Sequence, residues 1–445
     1  MISIPTTLFI GNNKELTTSF SFYTSSKSII YPTITTSDNS ADYASWEVGN
    51  YDYYTGSSPS IDLSSFTDSW VYIKVYTYDP TKITHLYISS CKLIHTLYIN
   101  YLNGLLYLNA SSNPTLYSIT MPTNNLEITT GMYISDCTTL QTLDFTGFSN
   151  LAGIIFIRGC SSLTTVKLTT SNQLITSFNA ENCNLTDTLY LSFLTGLSGD
   201  IILDFNYNLD FLILPASSQE VTYFSADNCY NLKLLSAGSM TNMKTYFSVN
   251  NANSLYYFSP PVTSNRFSTF RLSGTVLSGI IDLSNMGTFE GDIIMNSNIN
   301  VTNVTFPTIS NNGTLGKFYL HYCNLGSTFE IPFECGYNTD IKLDDNSNLQ
   351  HVDLPVTSEF WKFSISNCDL ELIEWNVKFT STDNNYCKVV IQGNGMDGAL
   401  IGLNYKYLYD TGWWYGELWV DSTLNSDAIY YKGKLKYRGW TIYTI

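Results

Sequence analysis

The sequence predicts a mainly β solenoid of about 14 coils of roughly 23 residues, with a β-rich N-terminal cap and a short C-terminal cap. Three observations predict it: the spacing of the cysteines, two apolar columns before each of them, and a second apolar pair after. Seven of the nine cysteines are Cys91, Cys137, Cys160, Cys183, Cys229, Cys323 and Cys368, at intervals of 46, 23, 23, 46, 94 and 45 residues. These are near-multiples of 23, and self-similarity at such a period marks a stacked-repeat architecture. The vacant steps fall on Asn113, Asn206, Ala252, Thr275, Asn298, Asn346 and Asn394. Each of these 14 positions is called a rung below.

The flanking columns fix the register. Three residues before the rungs stand Ile88, Ala110, Ile134, Ile157, Ala180, Leu203, Ala226, Val249, Leu272, Met295, Leu320, Leu343, Ile365 and Ile391. Five before stand Leu86, Leu108, Met132, Ile155, Phe178, Ile201, Phe224, Phe247, Phe270, Ile293, Phe318, Ile341, Phe363 and Val389. All 28 are apolar in a chain that is 44% hydrophobic, which chance does not give. Residues two apart face the same side of a strand, so each coil carries a short strand with two inward side chains. Six residues after the rungs a third column runs from Leu97 to Val352, and eight after, a fourth, often followed by Pro, which ends the strand. Stacking the coils buries these columns as one core. The pattern fails after Cys368, so the last coils are expected to be irregular.

The rung itself sits where the chain turns inward, and buried turn amides need partners. An Asn side chain offers donors and an acceptor, and a thiol is a small apolar group with weak hydrogen-bonding ability. Cys91, Asn113, Cys137, Cys160, Cys183, Asn206, Cys229, Asn298, Cys323, Asn346, Cys368 and Asn394 are therefore assigned to a structural ladder of buried, reduced side chains. Single thiols one coil apart, alternating with Asn, fit neither disulfides nor a metal set. Cys335 and Cys387 lie off the column and receive no role.

The unit CSSLTTVKLTTSNQLITSFNAEN (160–182) resembles the repeat of the BspA-like, or Treponema pallidum-type, leucine-rich-repeat family. That pattern, C-x-x-L-x-x-I-x-L-P with a later A-F-x-x-C, recurs at 206–229 and 346–368 and covers about residues 83–397. SGIIDLSNMGTFEGDIIMNSN (278–298) departs from it by lacking the Leu-Pro step. The C-terminal Gly439-Trp440-Thr441-Ile442 is similar to the end of phage and Bacteroidota repeat proteins. The resemblance implies a leucine-rich-repeat solenoid over residues 83–424, a C-terminal cap over 425–445 covering the last coil's edge, and a bacterial surface or phage setting. Residues 1–82 match no repeat and are expected to form a β-rich cap or attachment domain.

Composition narrows the function. The net charge is −16, so phosphate backbones and anionic membrane surfaces repel the chain, and nucleic acid is not an expected partner. No apolar run is long enough to span a bilayer, so membrane insertion is not expected either. The N-terminus carries no basic region before an apolar run and is not the pattern of a secretory signal. His85, His95, His321 and His351 form no metal-binding or catalytic motif, and no Cys-x-x-Cys or Gly-x-Ser-x-Gly occurs. Asp344-Asp345 lacks the oxygen-rich loop of a calcium site. No catalytic residue, metal or cofactor is expected.

What remains is the outward strand face, at six, four and two residues before the rungs. It carries Tyr87, Tyr107, Tyr133, Phe156, Asp204, Tyr223, Asp227, Tyr246, Tyr319 and His321. Tyr joins a flat apolar face to a polar tip at low entropic cost, which suits carbohydrate or protein ligands. Cross-strand stacking that only stabilises the sheet is the competing explanation. Trp413, Trp414, Tyr415 and Trp419 form a second candidate patch or the core of the cap. The expectation is a non-enzymatic binding or structural protein of a bacteriophage particle (tail fibre, receptor-binding or head-decoration protein). Its partners would be a host-surface glycan or protein or other virion subunits, and homo-oligomers are compatible with it. The alternatives are a secreted bacterial surface adhesin and a glycan-degrading enzyme acting through Asp200, Asp204 and Asp227.

Overall fold

The computed structural model describes residues 7–10, 14–38, 40–49, 52–122, 128–148, 151–168, 174–216, 220–263, 265–307, 315–331, 339–354, 361–375, 387–412, 415–421 and 425–444. Cys335, Trp413 and Trp414 lie outside the described residues. The fold is a β-solenoid of about 13 turns of roughly 23 residues, with a short helical C-terminal segment. Two compact units divide the chain, Met1–Cys229 and Tyr230–Ile445.

Each coil contributes one strand before its rung and, in most coils, one after. Within the first unit the preceding strands pair in parallel from Ile83–Tyr87 through Tyr107–Asn109, Gly131–Tyr133, Ala152–Phe156, Leu174–Asn179 and Asp200–Ile202 to Val221–Ser225. This is called the near sheet. Its register is the predicted one: Met132 stands beside Leu108 and Ile155, each five residues before its rung. Within the second unit a near sheet of the same kind runs from Met243–Asn250 to Trp440–Thr444. Every side chain of the two columns before the rungs is at most 2% exposed, and each is worth roughly 1.5–3 kcal/mol of burial. The strands after the rungs form shorter far sheets, such as Leu93–Tyr98 with Thr115–Thr120 and Thr328–Glu330 with His351–Leu354. Here the column six after the rung is looser, with Ile119, Val166 and Phe258 only half-buried. A fifth buried column, two or three residues after the rung, runs through Leu116, Leu140, Leu163, Leu209, Leu232 and Leu349.

The ladder works through one recurring acceptor. Cys160 Sγ donates to Ile134 O at 3.0 Å and Cys183 Sγ to Ile157 O at 3.2 Å. In each case the acceptor is the carbonyl three residues before the previous coil's rung. Asn does the same and more. Asn346 Nδ2 donates to Leu320 O at 2.9 Å and to Leu343 O at 2.8 Å, while its Oδ1 accepts from Leu325 N at 3.3 Å. Asn113, Asn206, Asn298 and Asn394 repeat the pattern. The eight described cysteines are free thiols, all buried. Cys387, seven residues before the Asn394 rung, shares the inward parity of the core columns.

The residue before each rung has a positive φ, from Ser90 at 55° and Asp136 at 57° to Asn367 at 55° and Gly393 at 74°. This left-handed step reverses the chain into the turn. Gly, Asn and Asp take it readily. Phe205 at 62° and Tyr322 at 55° take it against the preference of bulky residues.

The ends are closed differently. Lys14–Thr24 pairs antiparallel with Val71–Thr77 and also with Leu93–Tyr98 of the first far sheet. Thr33–Thr36 pairs antiparallel with Ile83–Tyr87 of the near sheet. The N-terminal segment therefore covers both edges of the first coil, around a core of Phe20, Phe22, Trp46, Ile73 and Val75. At the other end two helices, α1 (Gly398–Asp410) and α2 (Ser426–Tyr437), replace the far strands. Asp397 caps α1 by accepting from Ala399 N and Leu400 N, and Asn425 caps α2 through Ala428 N. Buried Asn404 of α1 accepts from Ile373 N at 3.1 Å and so closes the far-sheet strand Leu372–Trp375. The helical ending thus begins at Gly398 rather than at residue 425. Trp440–Thr444 adds one more parallel strand beside Gly416–Val420 instead of lying across the sheet's edge.

Removing the Asn346 rung strands the buried Leu320 carbonyl and the Leu325 N–H, while Leu343 O keeps only the weaker Cys368 Sγ bond. Asn346→Ala is expected to lower stability by about 2–4 kcal/mol, and Cys323→Ala by about 1 kcal/mol, measured as shifts of the urea midpoint. Burial also pushes the Cys91, Cys229 and Cys368 thiols up to about 12 from the ordinary 9.0. A pKa raised on folding gives stability that is complete below the unfolded value and lost as pH rises toward the folded one. Stability should therefore fall from about pH 9 toward about pH 12, and replacing Cys229 and Cys368 by Ala should flatten that fall.

Candidate functional site

On the near sheet of the first unit, the outward side chains of the first coils make a single stack of rings. Tyr87 and Tyr107 lie 5.0 Å apart between centroids, Tyr107 and Tyr133 5.4 Å, and Tyr133 and Phe156 5.9 Å. Adjacent strands place them. Tyr107 is in register with Gly131 and Tyr133 with Asn109 and Phe156. Gly131 leaves room for the Tyr133 ring: a Cβ there would come 3.2 Å from it. Tyr87 is 36% exposed and the others are half-buried, so the stack shows ring edges and hydroxyls to solvent. Burial, then the neighbouring Tyr87 and Tyr133, pushes the Tyr107 hydroxyl's pKa up, so it stays a neutral donor at ordinary pH.

His85 completes the strip. Its ring lies 6.3 Å from Tyr87 at an interplanar angle of 8°, and 5.8 Å from Tyr107. A motif search does not find it, since it belongs to no metal or catalytic pattern. Its position would have done so: it stands six residues before its rung, as Tyr107 does.

The acidic residues of the same unit behave differently. Asp204 Oδ1 accepts from Ser225 Oγ at 2.5 Å and from Asp227 N at 2.7 Å. Desolvation raises its carboxyl pKa above the usual value. The side chain is turned onto the next coil's backbone and ties two coils together. Asp344 does the same in the second unit, accepting from Ser364 Oγ at 2.7 Å and Ser366 N at 2.8 Å. Asp200 is an exposed residue whose Oδ1 accepts from Thr222 Oγ1 at 3.1 Å, and it stands in register with half-buried Tyr223. Three carboxylates therefore do not face a common cleft as free groups, because Asp204 is committed to the fold. Among the described residues no group of three or more His, Cys, Asp or Glu is placed to hold a metal ion.

In the second unit, the Arg271 guanidinium lies 5.8 Å from the Tyr246 ring centroid. Tyr319 donates to Asp340 Oδ2 at 2.7 Å while the Lys342 ammonium sits 4.4 Å from its ring centroid. His321 rings against Tyr319 at 6.1 Å and Tyr322 at 5.2 Å. Burial first, then Lys342, lowers its pKa, so its ring is neutral near pH 7. Tyr319 and His321 thus sit in a cluster that mixes rings with charged groups, and Tyr246 lies beside Arg271. Near the C-terminus Trp419 stacks on Tyr443 at 4.2 Å, with the Lys388 ammonium 4.8 Å from the Trp419 ring centroid.

Comparison with known proteins finds no family model that matches the chain and no curated protein that matches it.

Ring stacking by itself predicts a stability effect. Tyr107 contacts rings on both sides, so Tyr107→Ala is expected to cost about 1–2 kcal/mol, and Tyr87→Ala at the exposed end under about 1 kcal/mol. Thermal melting of the two variants tests this ranking.

Proposed function

We propose that this chain is a non-enzymatic binding protein of a bacteriophage particle, and that the ring strip His85–Tyr87–Tyr107–Tyr133–Phe156 is its contact surface for the host cell envelope or for another virion subunit. The strip carries the reading. It is five rings on four consecutive coils of a rigid sheet, with hydroxyl and imidazole groups at its margin. A preformed aromatic surface loses little entropy on binding. The composition agrees with it: only 13% of residues are charged, and a net charge of −16 disfavours nucleic acid. The repeat and Gly-Trp-Thr-Ile resemblance of the sequence supports the phage setting.

The coil-to-coil bonds of Asp204 give it a structural role, which weighs against the hydrolase alternative. The adhesin alternative differs in location, not in the binding surface.

Immunogold labelling of purified particles tests the proposal. Labelled tail tips or fibres mean host contact, and labelled heads mean decoration. Labelled bacterial envelopes with bare particles favour the adhesin and overturn the phage assignment. In either setting Tyr133→Ala is expected to weaken adsorption about tenfold or more; unchanged adsorption would remove the strip as the contact surface.

A further inference from the structure

A second coil-to-coil bond recurs on the far side of the solenoid. At some steps the N–H eight residues after a rung donates to the carbonyl seven residues after the next rung, while Met121 and Leu168, at the same position, make no such bond. Phe145 N reaches Lys167 O at 2.8 Å and Leu191 N reaches Ile213 O at 2.9 Å in the first unit. Ala237 N reaches Ser259 O at 2.9 Å, Leu283 N reaches Thr305 O at 2.7 Å and Ile331 N reaches Asp353 O at 3.0 Å in the second. After the Ala252 rung this position is Pro260, followed by Pro261. Proline has no N–H to give. Tyr257–Ser259 pairs with Leu234–Ser236, and Ser278–Asp282 pairs with Asn300–Thr305, but the two do not pair with each other.

A cleft of about 380 Å³ opens where that pairing is missing, near the lower end of ordinary small-ligand pockets. Tyr256, Tyr257 and Ile280 line it at 61%, 50% and 64% exposure. Large apolar side chains so exposed and so close together mark a contact site rather than a solvated face. Ser259, Asp282 and Asn285 bring hydroxyl, carboxylate and amide groups to the same cleft, and no Lys or Arg lines it. Its ends are closed by backbone bonds, Val276 N to Leu255 O at 3.2 Å and Thr263 N to Asn285 O at 3.1 Å. Those two bridges prevent the flanking coils from parting by a strand's width, so an extended peptide cannot run through between them. The occupant must be compact.

We propose that this cleft binds a neutral saccharide of one or two rings. The C–H face of a sugar packs on the Tyr256 and Tyr257 rings and on Ile280. Its hydroxyls donate to Asp282 and exchange hydrogen bonds with Ser259 and Asn285. Tyr supplies apolar area and a hydrogen-bonding tip in one side chain, which is what a ring with one apolar face and a polar rim requires. The Asp282 carboxylate, held by Ser284 N at 2.9 Å, excludes acidic sugars by repulsion. The site is separate from the aromatic strip and does not depend on it.

Saturation-transfer NMR on the full chain tests the proposal, with maltose, cellobiose and diacetylchitobiose as neutral probes, digalacturonate as the anionic one and choline as a cation. The expected result is transfer to the ring protons of at least one neutral probe and none to digalacturonate. Affinity should fall about tenfold or more in Tyr257→Ala and in Asp282→Asn. Tyr256→Ala, which truncates a mostly exposed side chain, should melt as the parent does and still lose binding. Tyr437→Ala, at an 84% exposed residue of α2 outside both surfaces, should bind the sugar unchanged. Transfer to none of the neutral probes overturns the proposal. So do equal transfer to digalacturonate, preferential transfer to choline, and binding indifferent to the cleft substitutions.

Discussion

The structure depends on how one buried carbonyl per coil is satisfied. The carbonyl three residues before a rung is buried and accepts from a side chain rather than from the next strand's backbone. An unpaired buried carbonyl costs about 1–3 kcal/mol, and a solenoid generates one in every turn. Where the next rung is Cys or Asn it supplies the donor, so the bond that solves the polar problem also ties the stack together. Asn solves it most fully, because its amide donates to two carbonyls and accepts from an N–H. Cys gives one weaker bond and fills the remaining volume with an apolar sulfur. That is why the thiols are protonated, buried and single.

The coil period and the inward columns were legible because burial on a strand leaves a strict signature. A residue five or three before a rung has no solvent-facing alternative, so every such position is apolar. The rung residues were legible for the same reason. The left-handed step was not, although it recurs in both units. Ser90, Asp136, Asn182 and Asn251 occupy it, but Ser, Asn and Asp are so common along this chain that the column does not stand out, and Phe205 and Tyr322 break it. The helical ending was partly legible: the failure of the pattern after Cys368 marked irregular coils, but α1 has no repeat to announce its start at Gly398.

The outward face divides by a local rule. A short polar side chain two residues before a rung reaches the next coil's backbone, as Asp204 and Asp344 do, and is drawn into the fold. In the first coils a ring four or six residues before a rung stacks on its neighbour instead. Sequence position gave both kinds of residue the same standing as candidate contacts. Side-chain length separates them.

Near and far sheets carry different obligations, and this decides where function has room to vary. Within each unit the near sheet is continuous, and the rung ladder beside it spaces the coils. The far strands need not pair throughout: Thr142–Asp144 pairs only with Thr165–Lys167, and Ser278–Asp282 only with Asn300–Thr305. A missing far-side bond is therefore tolerated, because the near side already holds the coils in register. At Pro260 the missing bond leaves a bounded opening whose exposed tyrosines have no packing duty inside the coil. A proline that would break an ordinary sheet falls here at a step where the far strands do not pair, and the cleft is a consequence of having two sheets of which only one sets the spacing.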